Sequence, residues 1–174
     1  MTIPVPSPET GPQPVPQPVL QPIPRSSDPA RSLAEVADAA VRLQLLDHPD
    51  GTHPALTTLD GGWWPHTREL TLELPLLVGA FAERGIRVTR VTYHPALWLI
   101  APPKLRLDGR VVHLGWQREI DPNLVILQTA HDTRIELLVV PPEASAQLAA
   151  RAMAAAAEPG NATAPAEILQ TAGA

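Results

Sequence analysis

The chain has no cysteine, a single lysine and only six aromatic residues among its 174 residues. Without cysteine, the protein forms no disulfide and offers neither a thiolate nucleophile nor a Cys-ligated zinc site. A surplus of positive charge is also lacking, because 13 basic residues face 18 acidic ones and leave a formal net charge of −5. This balance argues against a general affinity for nucleic acid or for an anionic membrane surface.

Long hydrophobic runs are absent as well. No stretch of the sequence reaches the roughly 18 apolar residues that a membrane-spanning helix needs. The N-terminus has no basic segment followed by an apolar run of about 7–15 residues, which a secretory signal peptide requires. The sequence therefore predicts a soluble, cytoplasmic protein without a membrane partner.

Proline, by contrast, is abundant: ten of the 22 prolines precede residue 31, mostly at alternate positions from Pro4 to Pro24. Alternating proline excludes a helix and removes the donors that a strand needs, so residues 1–30 are predicted to be a disordered, extended arm. At the other end, an Ala-rich run meets Pro159-Gly160, and residues 158–174 are predicted to be a disordered tail. One folded domain over residues 31–157 remains.

The hydrophobic pattern of that domain predicts an α+β fold. Leu70, Leu74, Leu77 and Phe81 share one helical stripe that begins after Thr67 as N-cap and ends at Gly85. Asp108-Gly109 between two alternating segments predicts a tight β-hairpin. We expect an antiparallel sheet of about five to six strands packed by two main helices. The predicted strands cover 41–46, 86–93, 104–107, 110–116, 124–129 and 134–140. A short helix that ends near Ala39 precedes the first of them, and a helix over 143–157 follows the last.

Two adjacent tryptophans make the segment Gly61–Pro65 the densest unusual feature of the chain. Neighbouring side chains of an extended segment point to opposite sides, so Trp63 and Trp64 cannot both be buried by one layer. One ring is predicted to anchor the core, and the other is free to line a surface with its N–H available to a partner. With Arg68, this ring could contact a ligand by stacking or cation–π interaction. The alternative is that both rings only pack in the core.

Four segments in this order resemble an uncharacterised actinobacterial family with a G-x-W-W-P motif near the start and an L-L-V-V-P-P motif near the end. The segments are Asp60–Pro65, Arg68–Leu70, Arg90–Tyr93 and Leu137–Pro142. The resemblance covers about 41–157 and implies the boundaries of the domain, but no reaction. His66 stands where arginine is more usual in that family, and Leu99 replaces an acidic residue.

No motif of catalysis or metal binding is present. The chain has no G-x-S-x-G elbow, P-loop or dinucleotide fingerprint. Two groups of potential metal ligands lack any known ligand spacing, so we expect neither a metal nor a cofactor. The groups are Asp47, His48, Asp50 and His53 in one turn, and His66, Glu69 and Glu73 along one helix.

Three hypotheses for the function follow. The favoured one is a non-enzymatic binding or regulatory domain that takes a small molecule or a protein at a surface made by Trp63, Trp64, Arg68, Arg90, Tyr93 and Trp98. The second is a small metal-independent enzyme that uses the carboxylates of Asp60, Glu69 and Glu73. The third and least favoured is a weak binder of single-stranded nucleic acid through Arg84, Arg87, Arg90, Arg106, Arg110 and Arg118.

Overall fold

A computed structural model describes residues 40–46 and 59–174 of the chain. The predicted arm, the helix ending near Ala39 and the acidic turn with His48 and His53 lie outside the described residues. The described part contains seven strands and three helices. The strands are β1 (Leu43–Leu45), β2 (Gly61–Trp63), β3 (Val88–Tyr93), β4 (Lys104–Leu107), β5 (Arg110–Trp116), β6 (Leu124–Thr129) and β7 (Arg134–Val139). The helices are α1 (Leu70–Glu83), α2 (Ala146–Ala156) and α3 (Pro165–Gly173).

The strands form one mixed sheet in the order β1-β2-β7-β6-β3-β5-β4. Most neighbours are antiparallel, but β2 pairs with β7, and β3 with β5, in the parallel direction. The predicted combination of helices with a mostly antiparallel sheet is confirmed, but the sheet has seven strands instead of five to six, and two of its pairings are parallel. The additional strand, β2, is a three-residue Gly-Gly-Trp segment, which is too short to show an alternating pattern.

The hairpin predicted around Asp108-Gly109 is confirmed together with its register. Leu107 pairs with Arg110, and Leu105 pairs with Val112. Both turn residues have positive φ, +47° and +75°, as the two central positions of a type I′ turn require. The strands predicted over 124–129 and 134–140 are also present, as the antiparallel neighbours β6 and β7 joined by a short turn.

Helix α1 covers one face of the sheet. Its buried stripe of Leu70, Leu74, Leu77 and Phe81 packs into the main core with the inward side chains of the strands. The predicted N-cap is wrong, because the helix begins at Leu70 behind Glu69, whose side chain makes no capping bond. The hydroxyl of Thr67 accepts from the backbone N of Glu69 at 3.2 Å, ahead of the helix, and donates to Glu73. Gly85 (φ +74°) follows the helix, which is the predicted stop.

Helices α2 and α3 form a smaller core on the opposite face. Ala149, Ala152 and Ala156 of α2 are fully buried there, and Ile168 and Ala172 of α3 pack against them. The prediction of a disordered tail over 158–174 is therefore wrong for the segment that forms α3. Pro165 begins this helix, where its missing N–H costs nothing, so proline marks a start and not a break. Among the described residues, no helix is long and apolar enough to cross a membrane.

Candidate functional site

The two adjacent tryptophans lie on opposite sides of the sheet, as the sequence predicts for an extended segment. Trp63 is 1% exposed in the main core, where its ring stacks on Trp98 with centroids 5.2 Å apart and an angle of 21° between the planes. Trp64 is half-buried and packs against the smaller core. Trp63 is thus the core anchor, and Trp64 begins the loop that joins β2 to α1. We call residues 64–69 the Trp loop.

The two glycines before the tryptophans allow close packing on both sides of β2. A Cβ at Gly61 would lie 2.2 Å from the carbonyl oxygen of Gln44 in the neighbouring strand β1. A Cβ at Gly62 would lie 2.8 Å from the Cα of Met153 in α2. Neither position has room for a side chain, so this pair of glycines sets how closely β1 and α2 approach β2.

Arg42 holds the Trp loop from the direction of β1. Its guanidinium carbon lies 3.6 Å from the ring centroid of Trp64, which is a cation–π contact. Its Nε donates to the carbonyl of Trp64 at 2.9 Å, and its Nη2 donates to the carbonyl of Pro65 at 2.5 Å. Burial lowers the pKa of Arg42, and the charge of Glu73 opposes that shift. In the sequence, Arg42 looks like an ordinary outward residue of an alternating strand.

A buried carboxylate supports the other end of the Trp loop. Glu73 of α1 is 1% exposed, and its Oε1 accepts hydrogen bonds from the backbone N (2.7 Å) and the hydroxyl (2.9 Å) of Thr67. Its Oε2 lies 3.5 Å from Nδ1 of His66, which is long for a hydrogen bond. The favoured hypothesis did not include Glu73, which was named only as a carboxylate of the enzyme hypothesis and as a potential metal ligand.

Two contacts join the Trp loop to neighbouring segments. Arg68 and Glu143 form an exposed bidentate ion pair, with Nε–Oε1 at 2.6 Å and Nη2–Oε2 at 3.1 Å. The hydrogen bond between these side chains raises the pKa of Arg68 and lowers the pKa of Glu143. The backbone N of Leu99 donates to the carbonyl of Arg68 at 2.9 Å, which ties the loop to the segment after Trp98.

Within residues 40–46 and 59–174, three buried nitrogen atoms around the Trp loop have no hydrogen-bond partner. They are Nε1 of Trp64, Nδ1 of His66 and Nε1 of Trp98. An indole N–H can only donate, and a buried donor without an acceptor costs about 1–3 kcal/mol. Most buried polar groups in native proteins are paired, so unpaired ones call for an explanation. Three of them beside one short loop distinguish this region.

The remaining predicted site residues separate into two groups. Tyr93 is 4% exposed in the same core as Trp63 and Trp98, and its burial raises the pKa of its phenol. Arg90 lies on the opposite face of β3, because it is three positions before Tyr93 and side chains alternate along a strand. The structure therefore does not bring Arg90 to the tryptophans.

Two cavities of the described residues lie away from the Trp loop. One, of about 480 Å³, lies between α2 and α3 and has Arg151, Asn161 and Ile168 in its wall. The other, of about 320 Å³, lies beside Gly85 and has Arg87 in its wall. None of the four tryptophans lines either of these two cavities.

The carboxylates of the enzyme hypothesis have separate surroundings. Oδ2 of Asp60 accepts from the backbone N of Glu136 at 2.7 Å and so anchors β7, while Glu73 binds Thr67. Glu69 is exposed at the start of α1. Within residues 40–46 and 59–174, no group of three or more His, Asp or Glu side chains is placed to hold a metal ion.

Comparison with known proteins gives one match. The model of a family of unknown function, DUF5994, matches residues 41–156, from the residues before β1 to the end of α2. No curated protein and no solved structure matches the chain. The match ends before α3, so the helix that completes the smaller core lies outside the part that the family model covers.

Proposed function

The chain belongs to DUF5994, a family of unknown function, and we propose that it is a non-enzymatic binding domain with its ligand site at the Trp loop. The ligand is a small molecule that combines an apolar ring or chain with an oxygen acceptor. Indole nitrogens supply donors for that oxygen, and the aromatic rings supply apolar contact area. Sites of this kind are mostly apolar, with a few polar groups that fix the orientation of the ligand.

The unpartnered indole nitrogens of Trp64 and Trp98 carry this proposal. Each is a buried donor without an acceptor, and each belongs to a ring that neighbouring groups already hold in place: Arg42 for Trp64 and Trp63 for Trp98. A ligand that supplies an acceptor removes the cost of the unpaired donor, while the rings need little reordering. Preorganised groups of this kind favour binding because less conformational entropy is lost.

Access to these nitrogens requires the Trp loop to move, because they have almost no solvent-accessible area. Arg42 and Glu73 hold the loop at Trp64 and Thr67, whereas its Arg68 end is held by the ion pair with Glu143 and by the hydrogen bond from Leu99. An exposed ion pair contributes only about 0–1 kcal/mol. The Arg68 end is therefore the part of the loop that moves at the lowest cost, and a ligand that binds only the displaced loop shifts the population toward that state.

The arrangement favours binding over catalysis. The carboxylate oxygens of Asp60 and Glu73 already accept hydrogen bonds from backbone N–H groups, which is typical of structural carboxylates. A general base must instead reach a proton of the substrate. We therefore assign these two carboxylates to the fold and to the shape of the Trp loop.

Calorimetric titration with two probes tests the proposal. Benzoate and benzamide share an aromatic ring and differ in the charge of the acceptor. We expect the wild type to bind at least one of them with a dissociation constant of about 1 mM or lower, which is ordinary for ligands of this size. The ratio of the two affinities then tells whether the site prefers an anionic or a neutral acceptor.

Two tryptophan variants locate the binding. Trp98→Phe keeps an aromatic ring to stack on Trp63 but removes the N–H, so we expect it to weaken binding about fivefold to tenfold, the effect of one hydrogen bond. Trp116→Phe, in an exposed ring, is the matched control and leaves the affinity unchanged. Absence of binding to both probes, or equal affinities of the wild type and Trp98→Phe, overturns the proposal.

A further inference from the structure

The outward face of the sheet carries a row of polar side chains across five strands. The pairing register aligns Lys104 of β4, His113 of β5, Arg90 of β3, Gln128 of β6 and Arg134 of β7. Neighbouring strands lie about 4.8 Å apart, so four spacings give a row about 19 Å long. All five side chains are opposite the face that α1 covers.

Positive charge dominates this face although the whole chain is acidic. Strands β3 to β7 contain a single carboxylate, Glu136, and its Oε1 is paired with Nε of Arg134 at 2.6 Å. Arg90, Lys104 and Arg106 are exposed, and within the described residues none of them forms an ion pair. One side of the sheet therefore carries a local excess of three unpaired cations, although the net charge of the whole chain is −5.

The part of this face on β3 and β4 is not covered by a helix of the described residues. Helix α2 packs on β1, β2 and β7, which leaves the cations of β3 and β4 exposed. Arg90 reaches toward β5, where its Nη1 lies 3.9 Å from the position that a Cβ of Gly115 would take. Because Gly115 has no side chain, the guanidinium of Arg90 has room above the backbone of β5.

We propose that this face binds single-stranded nucleic acid, with the phosphates along the row of cations. Two of the three unpaired cations are arginines, Arg90 and Arg106, and a guanidinium plane can both bind a phosphate and stack on a base. An acidic polypeptide would pair with the positive charges but has no bases to stack on the guanidinium planes. The two arginines in the row therefore favour nucleic acid. This site is separate from the Trp loop, because Arg90 is on the opposite side of the sheet from Trp98.

Fluorescence anisotropy with a labelled oligothymidylate of about 12 nucleotides tests the proposal, since site sizes on single domains are about 4–16 nucleotides. Neutralising three phosphates predicts a slope of log affinity against log salt of about −2, at about 0.7 per phosphate. Affinity then falls about fifteenfold between about 50 mM and about 200 mM salt.

Charge-reversal variants locate the interface. Arg90→Glu and Lys104→Glu are each expected to weaken binding about tenfold and to reduce the salt slope by about one. Arg151→Glu changes the charge equally on an exposed residue of α2 and leaves the affinity within about twofold of wild type. Thermal unfolding of each variant checks that the fold is kept. Equal effects of Arg90→Glu and Arg151→Glu, or displacement of the oligonucleotide by polyglutamate of the same total charge at equal concentration, overturn the proposal.

Discussion

At the scale of single residues, Arg42, Glu73 and Trp64 show how polar groups fix a loop that the hydrophobic pattern leaves undefined. Arg42 donates to two carbonyls of the Trp loop while its guanidinium lies against the ring of Trp64. Glu73 accepts from the backbone and the hydroxyl of Thr67 inside the protein. Buried charges are stable only with such partners, so both ends of the loop have a defined position.

Tyr93 gives a direct test at this scale, because it is the single tyrosine of the chain. Burial raises its pKa above the ordinary value of 10.0, since the phenolate is disfavoured in the core. A raised pKa in the folded state means that the neutral form contributes stability below pH 10. That contribution is lost as pH rises from 10 through the pKa of the folded state.

We expect tyrosinate absorbance, followed during an alkaline titration, to rise with a midpoint above 10 in the native protein. In urea at a denaturing concentration, the midpoint returns to about 10, the usual value for tyrosine. A native midpoint equal to the denatured one would show that the phenol is open to water, contrary to its place beside Trp98.

At the scale of elements, β2 is held between β1 and α2 by backbone contacts that only glycine allows. Gly62→Ala places a methyl group against the backbone of α2 at Met153. We expect a loss of about 1–3 kcal/mol in the free energy of unfolding, the usual cost of overpacking. Urea denaturation measures it.

Gly79→Ala is the control for that substitution. Gly79 lies within α1, and a Cβ there meets nothing within 4 Å. Alanine is the better helix former, so this variant should gain about 0.5–1 kcal/mol. A loss at Gly79 or no loss at Gly62 would contradict the packing described for β2 and α2.

The ion pair between Arg68 and Glu143 is the second element-scale test, because it holds the Trp loop to the segment before α2. Glu143→Gln removes it and should strengthen benzoate or benzamide binding about twofold to threefold, the equivalent of about 0.5 kcal/mol. Glu158→Gln, another exposed glutamate, should have no effect on the affinity. Weaker binding by Glu143→Gln would show that the ion pair supports the bound state and not the closed one.

Lowering the pH should strengthen probe binding in the same way as the Glu143→Gln substitution. The hydrogen bond with Arg68 lowers the pKa of Glu143 below its usual 4.5, so the pair is complete above that value. It is lost as pH falls through the lowered pKa of the folded state. We expect the difference in probe affinity between Glu143→Gln and wild type to become smaller as the pH falls from neutral to 3.

At the scale of the whole molecule, local features were predictable and distant pairings were not. The β4–β5 hairpin follows from the turn residues Asp108-Gly109 alone, and its register is as predicted. Strand β2 is too short to show an alternating hydrophobic pattern, and its parallel pairing with β7 depends on the path of the whole chain. The sequence placed Arg90 beside the tryptophans only because it could not tell which face of β3 each residue would occupy.

The candidate site was predictable to a similar extent. The opposite directions of Trp63 and Trp64 follow from strand geometry, and both residues were singled out. The partners of the loop were not predictable, since Arg42 lies 22 residues from Trp64 and Arg68 lies 75 residues from Glu143. Helix α3 was missed because proline and alanine are as typical of a loose tail as of a short helix that packs on α2.

The ¹H–¹⁵N spectrum of the indole groups tests the central claim most directly, because each of the four tryptophans gives one signal. Assignment needs only single Trp→Phe variants. On addition of benzoate or benzamide, we predict shifts of the Trp64 and Trp98 signals while that of the exposed Trp116 stays in place. If the signals of Trp64 and Trp98 stay fixed at probe concentrations that saturate the calorimetric titration, the Trp loop is not the binding site.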